Sequence, residues 1–528
     1  MTDPLITNLV DIAQSPAALT AQADLMLERA RWAADAFQRY DRERTYAIAE
    51  AAAREAHAKA ATYAEWAVRE TGFGVAEHKK LKNELTSLPF LEFYRNWDFV
   101  GPHTDPEKRV VEIPRPAGVI FALIPSTNPI STLNFKILCA LLTRNAIVMS
   151  PHPAARECCV DAARHLAAAA EQAGAPDGVI QIIEQPNIPL IEVFMRSEKT
   201  AVILATGGSA MVRSAYSSSN PSIGVGPGNA PVFVDTSADV ALAARHITDS
   251  KSFDNSLLCT NESVLIASAD REKGLKRELQ RAGCHICSTE EVEAIRAYLF
   301  HERGFNVEAV GRDATWIAEQ AGFKVAAKTR VLVTPIEFIG MEEPLSKEKL
   351  CPVLAMSSSD SRQQAIEMAR AVLRLSGAGH SAAIHCIDPQ TILDFAARVE
   401  AYRVVVNAPC SQGAAGFGTD LAPTFTIGTG FFGRSSVGEN IGPQHLVHWT
   451  RIALHEDAAN IMAEFPRAVL SHPGPLPEAP ADGVPGKSAP KQPRQRGGGR
   501  TSADGVPPGM RDEIRRIIAE ELRQAFRR

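Results

Sequence analysis

The chain has 528 residues, 45% of them hydrophobic and 22% charged, with a formal net charge of −5 at pH 7. That length exceeds one compact core and calls for two or three domains, while the charge balance excludes a chain-wide nucleic-acid surface. No apolar run approaches the about 20 residues of a membrane span, the opening MTDPLITNLVDIAQS lacks the pattern of a secretory signal, and nine cysteines without framework spacing fit a reducing cytosol.

Residues 16 to 100 read as helical. Alanine is abundant, and apolar residues recur at three- and four-residue steps, as in Leu25-Met26-Leu27-Ala30-Ala33. Thr71-Gly72-Phe73-Gly74 supplies a helix stop. From Ile113 the period changes, and Gly118 to Ile124 is a short apolar run closed by Pro125, the pattern of a buried strand. Helices over 131–143, 154–173 and 188–195 then alternate with strands over 146–149, 179–183 and 200–204. Such alternation predicts a doubly wound, mostly parallel α/β sheet. A second alternating unit runs from Pro231 to about Gly430. It has a helix over 237–250 and strands after Cys259, at 330–334, at 383–385 and at Val404-Val405-Val406. Near Pro473 the composition breaks, and 471–509 reads as a disordered Pro/Gly-rich linker. Residues 510–528 follow as an amphipathic helix, with Met510, Ile514, Ile517, Ile518, Leu522 and Phe526 on one face.

Five stretches carry chemistry. Cys259 sits between the polar run Asp254-Asn255-Ser256 and the strand-like Val264-Leu265-Ile266. A free cysteine most often packs as a small hydrophobe, but one at the mouth of a strand is placed to react. Asn128, in Ile124-Pro-Ser-Thr-Asn-Pro129, follows a buried strand, where ligands bind in open α/β sheets. It is either a turn asparagine before proline or an amide donor to an oxyanion. Gly207 and Gly208 form either a plain tight turn or a close-approach site for a phosphate at a helix N-terminus. Gly224-Val-Gly-Pro-Gly-Asn229 is another close-approach loop. Glu348 is either a solvated neighbour of Glu342, Glu343 and Lys347 or a carboxylate for ribose hydroxyls. Cys284-His285-Ile286-Cys287 has CxxC spacing without a second pair, so no metal site is expected. Cys158-Cys159 reads as packing.

Taken together, these stretches resemble the CoA-acylating aldehyde dehydrogenases, in particular those of bacterial microcompartments and of bifunctional aldehyde/alcohol dehydrogenases. The resemblance covers about residues 20–460 and rests on TNPISTLNFK (127–136), TRNAIVMSPHP (143–153), LATGGSAMV (204–212), GVGPGN (224–229), FDNSLLC (253–259), EKLCPVLAM (348–356), GHSAAIH (379–385) and SVGENIGPQHL (436–446). It implies an aldehyde dehydrogenase fold with two Rossmann-like domains and an oligomerisation strand flap. The dinucleotide-binding domain would span 1–230, completed by 436–470, and the catalytic domain 231–435. It makes Cys259 the nucleophile and Asn128 an oxyanion donor beside the Cys259 backbone N–H. Cofactor binding falls to Pro125, Ser126, His152, Thr206, Gly207, Gly208 and Glu348. The cofactor by family default is NAD, with coenzyme A as co-substrate and a short aldehyde such as propanal or acetaldehyde as substrate.

Hydrolytic relatives carry a glutamate in the loop matching GVGPGN, and alignment places Val225 there. Valine takes no proton, which favours thiolysis over hydrolysis, unless another carboxylate such as Glu262 reaches the site. Sulfoacetaldehyde or succinate semialdehyde stay open as substrates, with Arg115, Arg144 or Arg434 as the cation. An inactive shell-recruiting scaffold is the reading outside enzymology. The resemblance implies a homodimer or homotetramer, with a strand after Arg434 crossing to a neighbour. The tail resembles peptides that dock cargo on a microcompartment shell, which implies a cytoplasmic, microcompartment-lumen location. Residues 486–528 carry eleven Lys/Arg against five Asp/Glu, yet the helix mixes both signs and offers Phe526 as its one aromatic, so neither nucleic acid nor membrane is the expected partner.

Overall fold

The computed structural model describes residues 15–301, 304–468, 470 and 474. The proposed linker and tail helix lie outside these residues, as do the first fourteen. The described chain opens with helices Pro16–Phe37, Arg42–Ala58, Ala60–Thr71 and Ala76–Leu85. Ser15 and Asp41 cap the first two by accepting from Ala18 and Arg44 N–H. Gly72 ends the third in the left-handed conformation, at φ 72°.

Helical structure stops at Phe93, short of the expected residue 100. Two strands follow, β1 (His103–Asp105) and β2 (Val110–Pro116), paired antiparallel. Then comes a five-stranded sheet of β3 (Val119–Ile124), β4 (Ala146–Pro151), β5 (Ile180–Ile182), β6 (Val202–Thr206) and β7 (Ser222–Val225). Its order is β5-β4-β3-β6-β7, and every pairing is parallel. All six residues of β3 and of β4 are buried. A parallel strand covered on both faces has no solvent side, which is why these runs are apolar throughout.

The chain then builds a second parallel sheet. Its strands are β8 (Ala230–Val234), β9 (Glu262–Ser268) and β10 (Cys284–Ile286). A small separate ladder of β11 (Phe300–His301) and β12 (Gly304–Phe305) interrupts, and β13 (Val331–Pro335), β14 (Val353–Ser359), β15 (Gly379–His385) and β16 (Ala401–Val406) complete the sheet. The order is β10-β13-β14-β9-β8-β15-β16. Finally β17 (Val447–Ala453) returns to β2, with Val447 opposite Pro116 and Ala453 opposite Val110. The resulting antiparallel β1-β2-β17 sheet stands apart from the two parallel ones. The described residues to 474 belong to one compact unit.

Candidate active site

In an open parallel sheet the ligand crevice lies beyond the strand C-termini where the order reverses, here between β3 and β6. The loop after β3 carries Pro125 to Asn128 and ends at Pro129, the first residue of helix Pro129–Leu142. The loop after β6 carries Gly207 and Gly208 into helix Ser209–Tyr216. Lys136 is fully buried and donates to Leu123 O at 2.7 Å and Leu204 O at 2.9 Å, so it ties the two strand ends together. Burial lowers its ammonium to about 7.

The opposing wall comes from the second sheet. After helix Val240–Ser252 the chain takes left-handed φ at three consecutive non-glycine residues, 50° at Asp254, 49° at Asn255 and 67° at Ser256. Such backbone persists only where the surroundings over-determine it. Here Asp254 accepts from Val75 N–H at 2.7 Å and from the Lys79 and Lys82 ammonium groups, while Asn255 donates to Gly311 O at 2.9 Å. Asn261 donates to Ser256 O at 3.0 Å and accepts from Lys251 at 2.7 Å. The turn so braced presents Cys259, the one cysteine of nine that is not buried. Gly228 packs against it. A Cβ at Gly228 would fall 1.9 Å from Cys259 O, and the Gly228 N–H donates to Glu348 Oε1 at 3.0 Å. One contact thus joins the 224–229 loop, the cysteine turn and Glu348.

Every residue expected at the site lines one cavity of about 550 Å³. Cys259, Asn128 and Glu348 lie there together with Pro125, Ser126, His152, Thr206, Gly207 and Gly208. Around Gly207 and Gly208 no atom comes within 4 Å of a built Cβ, so the backbone after β6 is open to a closely approaching pyrophosphate. With Glu348 able to accept ribose hydroxyls, this donor set fits a dinucleotide.

Val225 also lines the cavity, and Glu348 is the one carboxylate among its described lining residues. Glu262, the alternative base, points elsewhere. It is buried at the start of β9, hydrogen-bonded to Ser250 Oγ and to Cys410 N–H at 3.1 Å. The three arginines considered for a charged substrate are also absent from the lining. Arg144 donates to Gln38 O, Tyr40 O and Val100 O, Arg115 donates to Thr450 Oγ1, and Arg434 lies on the exposed turn after Phe431–Gly433. No Lys or Arg is among the described lining residues. Partial burial lowers the His152 imidazole, leaving it neutral at pH 7.

Although Cys259 keeps partial exposure to the cavity, desolvation by the surrounding walls pushes its thiol up to about 12; the Glu348 charge adds to the rise, and its own backbone N–H and Arg403 oppose it. Burial also raises Glu348 to about 7. At the CxxC pair, Cys284 contacts Thr248 Oγ1 at 3.2 Å. His285, Cys287 and Glu291 bring one ligand atom each within 4.8 Å. Glu291 is already engaged there, accepting from Ser288 N–H in a capping box and meeting His285 Nε2 at 2.8 Å.

Sequence reasoning missed the groups behind the cavity: Lys79, Lys82, Lys251, Asn261 and the role of Asp254. The usable signal was faint. Helix Ala76–Leu85 buries Lys79, Lys82 and Asn83, three polar residues at three- and four-residue steps, where a core-facing stripe is normally apolar.

Comparison with known proteins matches residues 3–284 to the aldehyde dehydrogenase family model. The chain is 39% identical to an aldehyde-alcohol dehydrogenase of Clostridium acetobutylicum over 73% of this chain and 45% of that protein. It is 33% identical to the succinate-semialdehyde dehydrogenase (acetylating) of Clostridium kluyveri over 83% of this chain and 96% of that one. The chain spans about half the length of the bifunctional relatives it matches. Among solved structures, an acetylating aldehyde dehydrogenase from Geobacillus thermoglucosidasius superposes with a TM-score of 0.81 at 35% identity, covering 87% of this chain and 99% of that one. A propionaldehyde dehydrogenase from the fucose utilisation bacterial microcompartment of Clostridium phytofermentans superposes with a TM-score of 0.75 at 28% identity, covering 82% and 97%.

Proposed function

The chain belongs to the aldehyde dehydrogenase family, and on that premise we propose that it oxidises an uncharged short-chain aldehyde, such as propanal or acetaldehyde, to its acyl-CoA. The observation that carries the reading is the pairing of Cys259 and Asn128 in a cavity with Val225 where a water-activating base would stand. The Cys259 thiolate adds to the carbonyl carbon, and the new oxyanion is held by the Asn128 amide and the Cys259 N–H. Gly207, Gly208 and Glu348 would hold a nicotinamide dinucleotide, taken as NAD, which would supply the hydride acceptor for oxidation of the tetrahedral carbon. The acyl group stays on Cys259 as a thioester. Coenzyme A then attacks it as the thiolate, Cys259 leaves as a thiolate, and acyl-CoA departs. Water attack stays slow because nothing at Val225 takes its proton.

Substrate charge follows from the lining. A sulfonate or carboxylate brought into a cavity without Lys or Arg loses hydration without a partner, which disfavours sulfoacetaldehyde and succinate semialdehyde. Leu257, Leu258, Phe425 and Ile427 suit a short alkyl chain. The acetylating relatives support CoA as the acceptor. The domain division at 230/231 and a homodimer or homotetramer built through the exposed edge strand β17 belong to the same proposal, as does docking of residues 510–528 on a microcompartment shell. The neighbour from a bacterial microcompartment supports the last point. No described helix is long and apolar enough to cross a membrane.

The test is NADH formation from propanal and NAD, with and without coenzyme A, beside Cys259→Ala. Turnover that needs CoA and vanishes with the thiol is expected. Equal turnover without CoA would mean that water is the acceptor. No turnover with any aldehyde would favour a scaffold.

A further inference from the structure

The two loops that make the reacting centre come from different sheets, and a third element fastens them. Helix Ala76–Leu85 sends Lys82, 1% exposed, between Asn128 and Asp254, where its ammonium donates to Asn128 Oδ1 and to Asp254 Oδ2. One turn earlier Lys79, 3% exposed, donates to Thr127 O at 2.9 Å and to the same Asp254 oxygen at 3.1 Å. Asp254 is fully buried, so this cluster holds two ammonium groups against one carboxylate.

An asparagine amide has two faces of opposite character, and only its NH₂ stabilises an oxyanion. A lysine ammonium has three donors and no acceptor. A neighbour of that kind accepts only one orientation of Asn128, with Oδ1 toward Lys82 and Nδ2 toward the cavity. The observed bonds put Nδ2 on the cavity side: it lies 3.2 Å from Leu257 O, two residues before the nucleophile, and 3.3 Å from Thr127 Oγ1, and both residues line the cavity. The Lys82 ammonium bonded to the amide oxygen polarises the Asn128 N–H bonds toward the side where negative charge develops.

We propose that Lys82 is the positioning residue of the oxyanion site: it locks the Asn128 amide with its NH₂ facing the reacting carbonyl and, through Asp254, holds that amide in register with the Cys259 turn. This rests on the acyl-transfer reading above. Lys82 is not among the described residues that line the cavity, so it acts through Asn128.

The experiment is a double-mutant cycle on the full chain with Lys82→Met, Asn128→Ala and the pair, read as kcat and KM for propanal in the presence of CoA. NADH affinity and the rate of Cys259 alkylation by iodoacetamide, a displacement with no oxyanion, are measured alongside. Lys82→Met should lower kcat by about 10- to 100-fold, as for a lost charge-assisted hydrogen bond. NADH affinity and alkylation should stay within about threefold, and the pair should fall no further than Asn128→Ala alone. Should Lys82→Met not fold, Lys82→Gln serves, because its amide still donates to Asp254 but meets Asn128 with either face, and it too should lose kcat. Independent, additive losses, or undiminished kcat in either variant with an active parent, overturn this inference alone. A parent without CoA-dependent turnover overturns both it and the acyl-transfer reading.

Discussion

Cys259 carries two opposite demands. In the proposed reaction it must be shielded enough to keep water from its thioester and still reach a thiolate. Burial and the neighbouring Glu348 charge put its thiol at about 12, so in the free protein the thiolate is a minor species near neutrality. Iodoacetamide alkylation of Cys259, followed by mass spectrometry, should therefore climb about tenfold per pH unit between pH 8 and 10. A plateau reached below pH 8 would contradict that environment. Glu348 titrates at about 7 and is an anion across that range, so Glu348→Gln should speed alkylation at pH 9. Gly228→Ala tests the close approach of the two loops. Its Cβ would meet Cys259 O at 1.9 Å, a backbone atom with nowhere to go, and overpacking of this kind costs about 1–3 kcal/mol. The variant should melt lower and lose turnover. Cys259 and Asn128, which the structure brings to one cavity, were singled out from motif and position, whereas Lys82 was not, since a lysine on a polar helix carries no sign that its face is the buried one.

At the scale of elements, the strands and their loops were readable and their fastening was not. The apolar runs at 118–124 and 200–204 became β3 and β6 within two residues at each end, because a strand buried on both faces leaves an unbroken apolar signature. The clamp between them is Lys136. Its folded value, about 7, lies below the 10.5 of an unfolded lysine. The unfolded chain therefore binds more protons between those values, and stability rises with pH across that window. The contribution is present above 10.5 and lost as pH falls through about 7. Melting Lys136→Met beside the parent at pH 7 and pH 9.5 should show a smaller rise in the variant. An equal rise would mean that Lys136 is not the group responsible. The segment Val110–Pro116 escaped notice as a strand for another reason. Its partner β17 lies more than 300 residues away, and two prolines interrupt its pattern.

At the scale of the whole molecule, the cavity is lined jointly by loops of the five-stranded sheet, at 125–128 and 206–208, and by the 257–260 turn that leads into β9 of the seven-stranded sheet. Every described residue that lines the cavity precedes residue 428. A chain ending at residue 474 should therefore keep CoA-dependent turnover within about twofold of the full chain and lose association with purified microcompartment shells. Turnover that collapses on truncation would show that the tail serves the enzyme rather than a shell. Native mass spectrometry checks the proposed oligomer, with a dimer or tetramer expected and a lone protomer counting against pairing through β17.

The sequence by itself determined the alternation of buried strands with helices, the two-sheet α/β class, and the residues whose chemistry points to acyl transfer. These follow from local composition, because hydrophobic period and turn residues act over a few positions. Only the tertiary structure decided which groups stand behind the reacting ones. It removed Glu262 and the three arginines from the cavity, placed Val225 on its wall, and set Lys79 and Lys82 against Asp254 across more than 170 residues of chain. The physical reason is that a buried charge is placed by the partner it meets, and that partner is set by packing between distant elements rather than by the charge's own neighbours in sequence.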